Sequence, residues 1–341
     1  MSITPLPPRL DVACLPTRVR PLDRLSALWG GPRIWIKHDD ETGAVLSGNK
    51  IRKLQFAVAE AQAQGADVLV TCGGIQSNHC RATAALARRL GMDVVLCLRG
   101  TVPLRLSGNL LLDHVLGAEI RWWTPAQYAD NEAGMAAVAQ QLRAAGRTPY
   151  VVAEGCSMAA GVWGYIEAAA EIVDAQREHG VRFDAIVHAI GSAGTSAGLE
   201  LGVRMHGLSA RVRGVCVCDD AAYFRKRIAD LCVATIERYG PLTNDAGQPV
   251  RVADITEDDI DVIDGYVGAG YAQSQPDELA VLAEVARVEG VVLDPVYSGK
   301  AMVGLKAELD GPRFADARDV LFVHTGGIFG LAPHADALSG V

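Results

Sequence analysis

The sequence predicts an α/β protein built on two open, mostly parallel sheets. Three observations carry that expectation. Apolar runs of strand length alternate with segments whose apolar residues recur every three to four positions. Glycine-rich turns follow several of the runs and lead into the next helical segment. The alternation begins near residue 48 and restarts near residue 160. Continuous apolar runs between helices belong to strands covered on both faces, as in parallel sheets.

Taken in order, Ile51, Leu54, Val58 and Ala61 fall at helical spacing, Asn49 stands where it can cap that helix, and Gly65 stops it. Residues 68–72 form a buried-strand candidate. After GGIQSN an alanine-rich helix runs from about His79 to Leu90 and ends at Gly91. Residues 94–98 read as the next strand, and 110–116, 120–122, 126–145 and 150–153 continue the pattern. The second series opens with a helix near 160–178. FDAIVHAIG reads as a strand and tight loop, followed by a helix from Ser196. VRGVCVC is a strand and 222–239 a helix. Residues 240–270, richer in Asp and Gly, yield no element. Segments 276–289, 291–293, 300–309 and 320–323 complete the alternation, and no solenoid period is present. The expected division is a small unit of residues 48–160 and a large unit of residues 1–47 plus 161–341. Ligand sites of open α/β sheets lie beyond the C-terminal strand ends. That rule points to the loops after Cys72, Ala189, Leu293 and Val323.

Composition narrows the function classes. The 341 residues are half hydrophobic, with a formal net charge of −8 and a pI of about 5.5. No Lys/Arg block marks a nucleic-acid surface; Arg81, Arg88 and Arg89 read as the solvated face of a helix. Cysteines stand at Cys14, Cys72, Cys80, Cys97, Cys156, Cys216, Cys218 and Cys232. Cys216 and Cys218 would point the same way along one strand, but no second pair accompanies them, so no metal site is expected. Reduced, buried thiols favour a reducing compartment. The first residues lack a signal-peptide pattern and no run reaches the roughly 20 residues of a membrane span. The expectation is a cytoplasmic protein with no membrane or nucleic-acid partner.

Three stretches offer chemistry. Lys50, in SGNKIRKL, follows a Gly-Asn pair at a helix start, where its amine could form a Schiff base with a carbonyl. In CGGIQSNH, the glycines allow close approach of a flat ring or anion, and Ser77 and Asn78 add polar groups at a helix N-terminus. Gly191, Ser192, Ala193, Gly194 and Thr195 make a phosphate cradle that lacks both the dinucleotide fingerprint and the Walker lysine. Tyr271 and Tyr297 could exchange protons or simply pack. Thr325 could meet a pyridine nitrogen, and His324 reads equally as a core histidine. A non-catalytic small-molecule binding protein would account for the phosphate-like loop alone.

Together, SGNKIRKLQ, CGGIQSNHCR, GSAGTSAG, DPVYSGK and HTGG resemble the D-cysteine desulfhydrase and 1-aminocyclopropane-1-carboxylate deaminase family. These are fold-type II, tryptophan synthase β-like enzymes that use pyridoxal 5'-phosphate. The resemblance spans about residues 10 to 335, and SGNK with QSNH is its specific part. It implies two domains with the cofactor between them and Lys50 as its covalent holder. It also implies Ser77, Asn78 and His79 at the substrate carboxylate, with Asn78 near the ring as well and Ser77 among the catalytic groups. Residues 191–195 would hold the phosphate, Tyr271 and Tyr297 would face a small amino-acid substrate, and homodimers are usual. The ring-opening deaminases carry a glutamate after the second active-site tyrosine; here that position is Ser298, and Thr325 supplies a neutral partner for the ring nitrogen. A neutral partner weakens the electron sink and suits departure of a good β-leaving group. The resemblance therefore implies conversion of D-cysteine to pyruvate, sulfide and ammonia. The alternatives are cyclopropane deamination, or elimination from L-cysteate, D-serine or β-chloroalanine.

Overall fold

A computed structural model describes residues 5–270 and 272–340. Its strands are β1 (Val19–Pro21), β2 (Arg33–Lys37), β3 (Val68–Gly74), β4 (Asp93–Arg99), β5 (Glu119–Trp123), β6 (Pro149–Val151), β7 (Ala185–Ile190), β8 (Arg211–Cys216), β9 (Asp261–Ile263) and β10 (Asp319–Val323). They form a four-stranded sheet, β5-β4-β3-β6, and a six-stranded sheet, β1-β2-β10-β7-β8-β9. The first is parallel throughout, with Cys72 opposite Cys97. The second is parallel except for the antiparallel edge pair β1-β2. Every residue of β3 and β7 is buried. That is the origin of their uninterrupted apolar runs.

Helix Asn49–Ala63 packs Ile51, Leu54 and Val58 with Leu69 of β3 and Leu86 of helix Asn78–Arg89. Its other side lies on helix Ala159–His179, where Phe56 meets Val162 and Trp163. Gly164 permits that approach, because a Cβ there would strike the Arg52 carbonyl. Beneath it runs a buried ion network. Arg52 bonds both oxygens of Asp39 and both of Glu171, each at 2.8 Å. Lys37 of β2 reaches Glu171 at 2.5 Å, and Tyr165 donates to Asp39 at 2.6 Å. Helix Asn49–Ala63 is thereby fixed to the six-stranded sheet as well as to the four-stranded one.

Several expectations need correction. Residues 1–47, for which no element was expected, supply β1 and β2. β9 lies inside the Asp-rich 240–270 segment, as a three-residue edge strand too short to show alternation. Residues 291–293 form no strand; Val291 and Leu293 are buried, while the Val292 carbonyl accepts from His324 instead of joining a ladder. The 126–145 segment is broken at Asp130, which caps Asn131–Ala144 through Ala133 N. Helix Gly194–Met205 starts two residues before Ser196. Asn49 does not cap its helix; Gly48 is the cap residue, and the Asn49 amide donates to Thr195 at 3.1 Å. Arg81 is no surface group but fully buried, its guanidinium donating to the carbonyls of Val45 and Ser47. Cys218 lies past the end of β8 and is partly open, whereas Cys216 is buried. Among the described residues, no helix is long and apolar enough to cross a membrane.

Candidate active site

The C-terminal ends of β3, β7 and β10 converge with the loop Asp294–Tyr297 on one cleft. Its main chamber, about 490 Å³, is lined by Lys50, Ser77, His79, Glu154, Ser192 and Tyr297 among others. A narrower extension is lined by Asn49, Lys50, Asn78, Gly191, Ser192, Ala193, Thr195, Tyr297 and Thr325. The dispersed motifs thus meet in space. Tyr271 lies outside the described residues. The loop before it is anchored by Lys300, which donates to the carbonyls of Val267 and Gly270, the latter at 2.8 Å.

Lys50 opens helix Asn49–Ala63 and projects into both parts of the cleft. Burial of its amine, opposed by the charges of Cys156, Asp294 and Glu154, leaves its pKa lowered to about 8. Its Nζ stands 6.0 Å from the centre of the Tyr297 ring. The ring also abuts Gly191, where a Cβ would come within 2.8 Å of it. Tyr297 is set by Asp294, whose carboxylate accepts from Val296 N at 3.0 Å and Tyr297 N at 2.8 Å.

Ser77 caps helix Asn78–Arg89, accepting from Cys80 N at 3.2 Å. Asn109 Nδ2 donates to Asn78 Oδ1 at 3.0 Å, which leaves the Asn78 Nδ2 donors for the cleft. His79 is more constrained. The Thr71 hydroxyl donates to Val152 O at 2.8 Å, so at its 2.7 Å contact with His79 it must accept the Nε2–H. Burial, and then the charges of Lys50 and Lys53, hold the His79 pKa well down, which favours the neutral ring. Its Nδ1 is a bare acceptor with no protein partner.

The Gly191–Thr195 turn leads from β7 into helix Gly194–Met205, with Ala193 in the left-handed region at φ 65°. Gly194 N donates to Ser157 Oγ at 3.1 Å, and a Cβ at Gly194 would lie 3.1 Å from Lys53 Nζ. Lys53 is wholly buried, and its amine has no hydrogen-bond partner; Ser196 Oγ is likewise buried and unpaired. Burial first, and the Lys50 charge second, push the Lys53 amine well below its ordinary pKa. An orphaned amine, a free hydroxyl and a helix N-terminus form a cradle that fits a phosphate ester, whose charge would restore the ammonium.

At the far wall, Thr325 is nearly buried, and its carbonyl accepts from Asn49 N at 3.0 Å. Ser298 is fully buried. Its hydroxyl accepts from Asp294 N at 3.0 Å and donates to Asp294 Oδ1 at 2.5 Å, so it is fully engaged inside its own loop.

Sequence reasoning missed Lys53 and Glu154. Lys53 follows Lys50 by three residues, which puts both on one helix face. Glu154 follows β6, and the strand-end rule that selected the other loops applies equally there.

A family model described as pyridoxal-phosphate dependent enzyme matches residues 10–326. The chain belongs to this family. An Arabidopsis thaliana mitochondrial protein named bifunctional D-cysteine desulfhydrase/1-aminocyclopropane-1-carboxylate deaminase is 40% identical, over 99% of this chain and 83% of its own length. A Yersinia pestis protein named D-cysteine desulfhydrase is 38% identical over 94% of each chain. A crystal structure of an ACC deaminase homologue superimposes with a TM-score of 0.86 at 33% identity, covering 98% of this chain and 96% of its own. Membership makes the protein a pyridoxal-phosphate enzyme of fold type II, and the cleft has a cradle with the buried Lys53 and a half-buried Lys50 that fit this cofactor.

Proposed function

We propose that the protein performs β-elimination on a small amino acid, converting D-cysteine and one water to pyruvate, sulfide and ammonia. The observation that carries this choice over cyclopropane opening is Ser298. A neutral hydroxyl stands at this position and is locked onto Asp294, so no acid from it protonates the ring nitrogen. Thr325, also neutral, is the group we assign to that nitrogen. Cyclopropane deamination is the second reading; the double name of the Arabidopsis relative favours it.

In this reading Lys50 holds the cofactor, and Lys53, Ser196 and residues 191–195 hold its phosphate. The bound cofactor supplies an electron sink for the Cα–H bond. Ser77 and the Asn78 amide bind the substrate carboxylate from the helix N-terminus. His79, having no ring N–H to offer, presents only an acceptor. Lys50 Nζ, with its pKa lowered by burial, would serve as the base for the Cα proton. The Tyr297 hydroxyl delivers a proton to the departing sulfur; Tyr271 is the other candidate for that step. We further assign residues 48–160 to a small domain and 1–47 plus 161–341 to a large one, supported by the two separate sheets. A homodimer in the cytoplasm completes the reading.

Tyr297→Phe tests the proton donor. Pyruvate release from D-cysteine is expected to fall about 100-fold or more with cofactor content unchanged. A change of less than about threefold would return Tyr297 to packing and pass the role to Tyr271.

A further inference from the structure

Among the described residues of the cleft, Glu154 is an acid held from two sides by neutral donors and engaged in no salt bridge. It lies in the turn Glu154–Cys156 directly after β6, where Gly155 and Cys156 both take positive φ, 62° and 53°. The Tyr128 hydroxyl donates to one carboxylate oxygen, and Asn131 Nδ2 donates to the other at 3.1 Å. Two donors leave roughly half of a carboxylate's acceptor capacity open. Glu154 lines the same chamber as Lys50 and Tyr297, close enough to Lys50 for its charge to act on that amine.

The surrounding wall is mixed, with a slight acidic excess: Asp130, Glu132 and Asp219 line the chamber with Glu154, against Lys50, Arg99 and Arg227. Arg227 already faces Glu132 at 3.9 Å, and Arg99 stacks on the Tyr128 ring at 4.9 Å. An anionic side chain entering this chamber meets a fixed carboxylate in a partly desolvated space, whereas an ammonium, thiol or hydroxyl meets an acceptor.

We propose that Glu154 is a specificity residue that reads the side-chain end of the substrate: it favours small amino acids ending in a cation or hydrogen-bond donor and rejects those ending in a carboxylate or sulfonate. The inference rests on the amino-acid-binding reading above and deepens it, since it sets L-cysteate aside and retains cysteine, serine and β-amino analogues. Glu154 acts on binding, so it can be tested without turnover.

The test uses cofactor-loaded enzyme and three ligands of similar size that carry no β-leaving group: 2,4-diaminobutyrate, homoserine and aspartate, each in both hands. Dissociation constants are measured by calorimetry. Diaminobutyrate is expected to bind tightest and aspartate weakest, about tenfold or more apart. Glu154→Gln should shrink that ratio about tenfold, by gaining aspartate affinity and losing diaminobutyrate affinity, whereas Glu154→Asp should keep the order. Wild-type preference for aspartate overturns the proposal. So does a ratio that Glu154→Gln leaves within twofold, loss of the order in a Glu154→Asp protein that holds its cofactor, or no measurable binding of diaminobutyrate. Pyruvate formation from D-cysteine is followed separately. The predicted binding order without pyruvate would sink the elimination reading and leave Glu154 standing; pyruvate without the order would do the reverse.

Discussion

Cofactor-loaded Lys50→Ala protein is expected to turn over D-cysteine at least about 1000-fold more slowly than wild type, and to lose the absorbance of covalently held cofactor. Lys50 is the lysine of the cleft that reaches both its chambers. Lys53, one helical turn on, is aimed instead at Gly194 and the cradle, so it cannot stand in. The cofactor itself should still bind, because the groups around residues 191–196 are untouched. A pH signature accompanies this. Only the neutral amine attacks a carbonyl, and burial brings the Lys50 pKa to about 8. Cofactor incorporation into apo-enzyme should therefore rise about tenfold per pH unit below that value and level off above it. Incorporation that keeps climbing toward pH 10 would mean that the amine is not desolvated, and retained turnover in Lys50→Ala would remove Lys50 from the centre of the mechanism.

The second large effect concerns stability. Arg52→Met should destabilise the fold by roughly 3–5 kcal/mol, because it removes one partner of a buried ion network and leaves the others in place. Lys37 remains with Glu171 at 2.5 Å, so Asp39 is the group left exposed to the loss. It would keep only the hydroxyls of Thr17 at 2.8 Å and Tyr165 at 2.6 Å. Burial alone would raise the pKa of Asp39 and of Glu171; Arg52 carries both below the ordinary carboxylate value. A carboxylate with a depressed folded-state pKa contributes stability above its unfolded value and loses it as pH falls through the folded one. The gap between wild type and variant should thus be widest near neutrality and narrow below about pH 4. Denaturant unfolding at several pH values measures it, and a difference under about 1 kcal/mol at pH 7 would contradict the assignment. Helix Asn49–Ala63 carries Lys50, so the same variant should also weaken cofactor retention.

The parts readable in the sequence were those where local pattern and tertiary role agree. β3 and β7 are buried on both faces, so they appear as plain apolar runs, and the glycine turns that follow them are the cleft itself. Ser77 is read correctly as a helix-start hydroxyl because capping is local. The unread parts depend on distant partners. Arg81 looks like a surface arginine on an alanine-rich helix, and only the carbonyls of Val45 and Ser47, more than thirty residues away, make it a buried clamp. Asn49 sits where a capping residue would, yet its amide is drawn to Thr195 in the other half of the chain. Residues 291–293 have strand composition but lose Val292 O to a histidine. β1 and β9 have three residues each, too few for any periodicity. Lys53 and Glu154 do obey local rules, one sharing a helix face with Lys50 and the other following a strand end.

The measurement that bears most directly on the central claim is pyruvate formation by purified, cofactor-loaded protein given D-cysteine and L-cysteine in parallel. The account predicts rapid pyruvate and sulfide release from the D form and much slower release from the L form. No pyruvate from either, with the cofactor spectrum intact, would contradict the desulfhydrase reading and return the choice to cyclic or other β-substituted amino acids.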